Sequence, residues 1–283
     1  MIICRTKADM RENVRNWKRA GQTVGLVPTM GYLHEGHLAL VRMAIQKADR
    51  VVASIFVNPT QFGPNEDLAT YPRDEKQDLD LLAAEGVDAV FLPSEEEMYG
   101  AGGGTHVDVP GLSGILQGAL RPGHFRGVST VVTKLFNIVA PDIAVFGEKD
   151  YQQLTLIRQM VRDLDMPLEI VGHPTVRESD GLAMSSRNVR LSEDHRSEAV
   201  MLNRALDLAQ EFAKTGPAIA ELEAVVMSRL AQAPSAEVKS VDIRDAATLG
   251  ELQGPLDRPA VVLLAVRFGP VLLIDQRVIA PVT

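Results

Sequence analysis

The stretch "TVGLVPTMGYLHEGHLALVRMAIQKA" (residues 23–48) carries two hydrophobic periods in succession. Up to Pro28 and Thr29 it is a nearly continuous apolar, β-rich run of the kind a buried strand shows. From His37 onward, Leu38, Val41, Ala44, Ile45 and Ala48 recur at the 3.6-residue spacing of a helix. A strand feeding a helix through a short turn is the repeating unit of an α/β sheet, and the alternation continues. "RVVASIFVN" (50–58), "DAVFLP" (88–93), "DIAVFG" (142–147) and "LEIVGHPTV" (168–176) read as strands. Helical patterns occupy 74–86, ended by Gly86, then 127–140 and the stretch marked by Leu154, Ile157, Val161 and Leu164. The alternation predicts a doubly wound parallel sheet, with ligands outside the carboxyl ends of its strands.

The rhythm changes after residue 176. A polar loop (177–192) precedes two helical stretches at about 195–213 and 217–232 and a strand at 238–246. Two further strands in 259–279 are joined at Phe268-Gly269-Pro270. The expected fold is therefore α/β: a Rossmann-like doubly wound parallel sheet domain (1–176) followed by a smaller α+β C-terminal domain (177–283). "SEEEMYGAGGG" (94–104) reads as a mobile, acidic and glycine-rich loop.

Composition narrows the class. The chain has 283 residues, 46% of them hydrophobic and 23% charged, which suits a globular protein with two domains. Its apolar runs are too short to span a bilayer and no secretory signal is legible at the N-terminus, so a cytoplasmic protein without a membrane partner is expected. Cys4 is the single cysteine, which excludes an internal disulfide and any cysteine-based zinc site. A net charge of −8 gives no overall attraction for nucleic acid, and 5% aromatic residues argue against an RNA-binding module.

The chemistry concentrates at predicted strand ends. His34-Glu35-Gly36-His37 lies between the first strand and its helix. Two imidazoles there can donate to phosphate oxygens beside the positive end of a helix dipole. A zincin motif needs His-Glu-x-x-His, so the spacing here is one residue short and no metal ligands are assigned. The plain alternative is a pair of surface histidines in a turn. "FGEKDYQQL" (146–154) repeats the setting: Gly147 allows close backbone approach, Lys149 supplies a charge and Asp150 suits an N-cap. Its alternative is an ordinary capped helix. "SDGLAMSSRN" (179–188) gathers Ser185, Ser186 and Arg187, donors fit for a polyphosphate, or else forms a polar linker. In "VNPTQFG" (57–63), Asn58 and Gln61 offer neutral amides for a small organic acid, or cap a turn. "RPGHFRGV" (121–128) brings Arg121, His124 and Arg126 to a helix start, where solvated basic residues are the alternative.

Taken together, "PTMGYLHEGHLAL", "FVNPTQFGPNEDLATYPR", "RPGHFRGVSTVV", "FGEKDYQQL" and "AMSSRN" closely resemble the pantothenate synthetases, the pantoate–β-alanine ligases of the HxGH nucleotidyltransferase superfamily. The resemblance implies an AMP-forming ligase using ATP and Mg²⁺, with pantoate and β-alanine as substrates, a pantoyl-adenylate intermediate and a homodimeric state. It implies that His34, His37 and Lys149 are catalytic. Met30, His37, Gly147, Glu148, Lys149, Asp150, Val176, Met184, Ser185, Ser186 and Arg187 would bind ATP. Gln61 and Gln153 would hydrogen-bond pantoate, with Met30 and Phe56 as apolar walls. Another HxGH nucleotidyltransferase would share the ATP site and differ in a cationic acceptor pocket.

Overall fold

The computed structural model of the chain describes residues 1–64, 66, 68–100 and 103–281. It divides into two compact units, one formed by Met1–Gly147 with Gln152–Pro174 and the other by Glu148–Tyr151 with Thr175–Thr283.

In chain order the first unit contains β1 (Ile2–Cys4), α1 (Lys7–Arg19), β2 (Val24–Thr29), α2 (Glu35–Lys47), β3 (Arg50–Ile55), α3 (Glu75–Ala84), β4 (Ala89–Phe91), α4 (Glu95–Tyr99), α5 (Pro110–Ser113), α6 (Gln117–Leu120), α7 (His124–Val139), β5 (Ile143–Gly147), α8 (Tyr151–Asp163, of which Tyr151 belongs to the second unit) and β6 (Glu169–His173). Its six strands pair in parallel in the order β1-β4-β3-β2-β5-β6. That order reverses direction between β2 and β5, and in such sheets the crevice at the reversal is where ligands bind. β2 and β5 are in register at Gly25↔Ile143 and Leu26↔Ala144, so their carboxyl ends are neighbours. The apolar runs predicted as strands are strands here because both sheet faces are covered. Val27, Val51, Ala53, Val90 and Val145 pack beneath Leu40, Val41 and Ala44 of α2 and Leu82 of α3. α1 and α7 pack against each other and both against β2.

Some details differ from the pattern reading. Ile45, expected on the buried face of α2, is 40% exposed because it lies at the margin of that face in the last turn, and Leu40 is buried instead. The stretch 94–104 is not all loop. Glu95–Tyr99 is a helix because Ser94 accepts the Glu97 N–H, Met98 is fully buried and three glutamates suit the positive end of the first turn. Ala101 and Gly102 lie outside the described residues.

The second unit contains α9 (Glu193–Ala199), α10 (Met201–Ala213), α11 (Ile219–Leu230), β7 (Ala236–Asp245), β8 (Ala260–Phe268) and β9 (Val271–Ile279). The strands form an antiparallel β7-β8-β9 sheet, and β8 and β9 turn at Gly269-Pro270 as the sequence implies. Leu202, Ala205, Leu206, Ala209, Leu222 and Val226 cover one face over Val262, Leu264 and Val266. A 3-10 turn at Glu148–Asp150 packs on β9, which is why these residues group with the second unit. No helix among the described residues is long and apolar enough to cross a membrane.

Candidate active site

In the first unit, the turn after β2 is wound by two consecutive left-handed residues, Gly31 (φ +81°) and Tyr32 (φ +52°). Glycine is required at 31, because a Cβ there would sit 2.8 Å from Oδ2 of Asp78 and 3.0 Å from Cγ2 of Ile55. Asp78, on α3 and only 2% exposed, holds this turn. Its Oδ2 accepts the Tyr32 N–H at 2.8 Å and its Oδ1 accepts the Leu33 N–H at 2.7 Å. Burial raises the Asp78 carboxyl above the usual range, against the lowering effect of those two N–H donors. Asp78 carries no motif signal. The sign available in the sequence is an acid four residues before Leu82, on the stripe of α3 that is buried.

The turn delivers His34 as the N-cap of α2, with extended backbone (φ −139°, ψ 174°). The three-residue spacing then has a structural meaning. The Gly36 N–H donates to Nδ1 of His34 at 3.1 Å, and the His34 N–H donates to Nδ1 of His37 at 3.3 Å. This reciprocal capping box is one that two residues at N-cap and N3 can make. A ring whose Nδ1 accepts a backbone N–H carries its proton on Nε2 when neutral. Both imidazoles are therefore set as Nε2–H donors at a helix N-terminus, with ring centroids 4.1 Å apart.

The predicted acid-binding residues fall partly together. Gln61 is 9% exposed, accepts from Asn58 Nδ2 at 3.0 Å and donates from Nε2 to Sδ of Met30 at 3.2 Å. A thioether is a weak acceptor, so a ligand oxygen would replace it with gain. Phe56 is buried beside Tyr99, with ring centroids 6.1 Å apart. Gln153, half-buried on α8, makes no side-chain hydrogen bond among the described residues, while Gln152 is consumed by the Leu112 and Ile115 carbonyls and the Gln117 N–H.

Asn58, a candidate for ligand recognition, is an internal support instead. It donates to the Gly127 carbonyl at 3.2 Å and accepts from Thr60 at 2.9 Å and from the Tyr99 hydroxyl at 2.6 Å. The basic residues at 121–126 are not simply solvated. Arg121 forks onto Glu66 with both contacts at 2.6 Å, holding that carboxyl below its usual range, and Nδ1 of His124 lies 2.8 Å from the Gln61 carbonyl. Gly127 permits this assembly, since a Cβ there would overlap the Thr60 carbonyl and Cα of Gln61.

In the second unit, Lys149 and Asp150 lie on the 3-10 turn that follows Gly147, where a Cβ would meet nothing within 4 Å. Burial pushes the Lys149 ammonium below the usual lysine value; Asp150 and Asp275 oppose that shift, and Arg187 and Arg177 add to it. Asp275, 2% exposed, takes both Arg177 forks at 2.7 and 2.9 Å. That pair anchors a short antiparallel bridge, Arg177↔Ala183, and the Met184 N–H donates to the Val176 carbonyl at 2.9 Å. Val176 and Met184 are thereby brought side by side. Ser185 accepts the Arg187 N–H at 3.2 Å, and the half-buried run Met184–Arg187 follows directly.

Comparison with known proteins points to one family. The family model described as pantoate-beta-alanine ligase matches residues 2–278. The pantothenate synthetase of Sinorhizobium medicae is 55% identical over 280 residues, covering 98% of this chain and 95% of that protein. A crystal structure of pantothenate synthetase from Thermus thermophilus superposes with a TM-score of 0.92 at 47% identity, covering 98% of this chain and 99% of the other. One from Francisella tularensis, a pantoate-beta-alanine ligase complexed with beta-gamma ATP and beta-alanine, gives 0.79 at 36% identity, with 98% and 97% covered. With near-complete coverage on both sides and the two histidines capping α2 at the sheet's reversal point, the chain belongs to the pantoate–β-alanine ligase family.

Proposed function

We propose a division of roles among these residues for the ATP-dependent ligation of pantoate and β-alanine to pantothenate. In the first half-reaction a carboxylate oxygen of pantoate attacks the α-phosphorus of ATP and the bond to pyrophosphate breaks. The product is pantoyl adenylate. In the second, the amine of β-alanine attacks the acyl carbon, AMP leaves and the nitrogen loses a proton. An anion attacking a polyanion needs its charge neutralised, and catalysis by fixed donors does that without a protein nucleophile.

The observation that carries the reading is the locked pair of imidazoles. With both Nδ1 atoms held by backbone N–H groups, His34 and His37 present Nε2–H to phosphate oxygens where charge develops. Met30 joins His37 in the ATP set. Lys149 is assigned to the phosphates, Ser185, Ser186 and Arg187 to the β,γ end, Gly147 and Asp150 to the ribose, and Val176 and Met184 to the adenine faces, with Glu148 also in the ATP set. Gln61 and Gln153 are assigned to pantoate, with Met30 and Phe56 against its methyl groups. Among the described residues no three His, Cys, Asp or Glu side chains converge to hold a metal. Mg²⁺, a hard cation that usually keeps several waters and binds through substrate phosphates, is assigned to the nucleotide's phosphates. Resemblance to the family supports a homodimer and a cytoplasmic setting.

The direct test omits β-alanine. Mg-ATP and pantoate alone should release pyrophosphate, and AMP should accumulate only when the amine is added. Formation of ADP, or of a stable nucleotide-linked product, would contradict the reading.

Lys149 gives a pH signature. Its folded value is depressed, so it opposes folding while charged, and that penalty is relieved as pH rises through the folded value towards the unfolded one. A bound polyphosphate favours the ammonium, so ATP binding at alkaline pH should take up a proton. Calorimetry in two buffers of different ionisation enthalpy measures this. Uptake should vanish in Lys149→Met; undiminished uptake there removes Lys149 from the phosphates.

A further inference from the structure

In the first unit a groove of about 530 Å³ lies between α1 and the C-terminal end of α7. Val14, Ile138 and Ala140 contribute apolar surface to it, Asn137 adds an amide, and Arg11, Arg15, Lys18 and Arg19 supply four cations. No step of the ligation uses these residues. We propose that this groove binds an extended organic phosphate: an anion carrying two phosphate groups on an apolar spacer.

Three observations support this occupant. Arg11, Arg15 and Arg19 stand at i, i+4 and i+8 on one helix, an arrangement in which like charges repel and weaken the helix. Lys18 pairs with Asp142 at 3.1 Å, but the three arginines have no ion-pair partner among the described residues. That row of like charges stands in a chain whose net charge is −8, with only Arg19 of the three in the last turn, where the helix dipole favours a cation. Second, the Nε of Arg15 donates to the Arg11 carbonyl at 3.2 Å, which orients its guanidinium along the helix. Successive arginines are then separated by roughly 6 Å along the axis, a spacing that suits a string of separated charges. Guanidinium forks match phosphate oxygens in pairs, which favours phosphate over a single carboxylate. Third, the groove volume falls in the range of small-molecule sites, and its apolar surface would cover a short hydrocarbon spacer.

The experiment titrates the full chain, already saturated with Mg-ATP, with hexane-1,6-diyl bisphosphate by calorimetry; inorganic phosphate and adipate are parallel probes. The bisphosphate should bind saturably at one site per chain and weaken as salt rises, with inorganic phosphate and adipate at least about tenfold weaker. Arg11→Gln/Arg15→Gln should raise its dissociation constant by about tenfold or more, leaving kcat and the KM for ATP unchanged. Asn137→Asp, at an exposed position on α7, tests the same groove without removing a cation and should also weaken binding. The proposal is overturned by absence of saturable binding, by binding that ATP abolishes, or by binding that neither variant changes. Adipate binding as tightly as the bisphosphate would overturn the assignment to phosphate.

Discussion

Alanine at His34 or His37 will lower kcat by a hundred- to a thousandfold, about 3–4 kcal/mol of transition-state stabilisation, the usual loss when one fixed donor to a developing oxyanion is removed. Each ring is proposed to do two jobs, and the numbers separate them. As N-cap, His34 accepts the Gly36 N–H, and losing a cap costs about 1 kcal/mol of stability. As the proposed Nε2–H donor to phosphate, it would carry the larger effect. His34→Asn distinguishes the two, because asparagine is a good N-cap whose amide does not reach where the imidazole Nε2 does. Its melting temperature should stay near that of the parent while kcat falls as far as in His34→Ala. If His34→Asn keeps near-normal turnover, the histidine is only a cap.

Asp78→Ala should cost about 3 kcal/mol of stability and most of the activity, although Asp78 is given no contact with substrate. Removing the carboxylate leaves the half-buried Tyr32 and the buried Leu33 N–H groups without acceptors, at about 1–3 kcal/mol each and least for Tyr32. It also releases a turn that includes a non-glycine residue at φ +52° and leads straight into His34. A displacement of about 1 Å at His34 is enough to lose a hundredfold in rate. Asp78→Asn, which keeps the volume and one acceptor, should unfold less readily than Asp78→Ala yet still lose kcat more than it raises KM. The pH sign is unusual for an acid. Because burial raises the folded value, protonation of Asp78 favours the folded state as pH falls through that value, while weakening the hold on the turn. Acid should therefore reduce the turnover that depends on Asp78, while this group adds nothing to acid unfolding. Thermal melts with steady-state kinetics decide; an Asp78→Ala protein with parental melting temperature and kcat removes the clamp.

Much of this architecture is written in local patterns. Buried parallel strands are continuous apolar runs, so β2, β3 and β5 are legible, and Phe268-Gly269-Pro270 marks the β8–β9 turn. The N-terminal elements are not. β1 has three residues, and α1 buries only Met10 and Val14, too sparse a stripe to see by period. The break at Val200 separates α9 from α10 within one apolar pattern, so a single helix is the natural expectation for 195–213. In the site, the two histidines are conspicuous as a pair, but their reciprocal cap depends on three-dimensional hydrogen bonds. Asn58 and Gln61 look alike as strand-end amides. Only packing against Gly127 and Tyr99 makes one a support, and only the sulfur of Met30 leaves the other with a weak bond to exchange. Asp78 is the clearest omission, because its acceptors serve backbone groups more than 40 residues away in sequence.

Attack by the carboxylate of pantoate on the α-phosphorus sends one carboxylate oxygen out with AMP, and isotope transfer follows that oxygen. Pantoate carrying ¹⁸O in both carboxylate positions, turned over with Mg-ATP and β-alanine, should yield AMP containing one ¹⁸O and unlabelled pyrophosphate. AMP free of label, or label in pyrophosphate or inorganic phosphate, would contradict it.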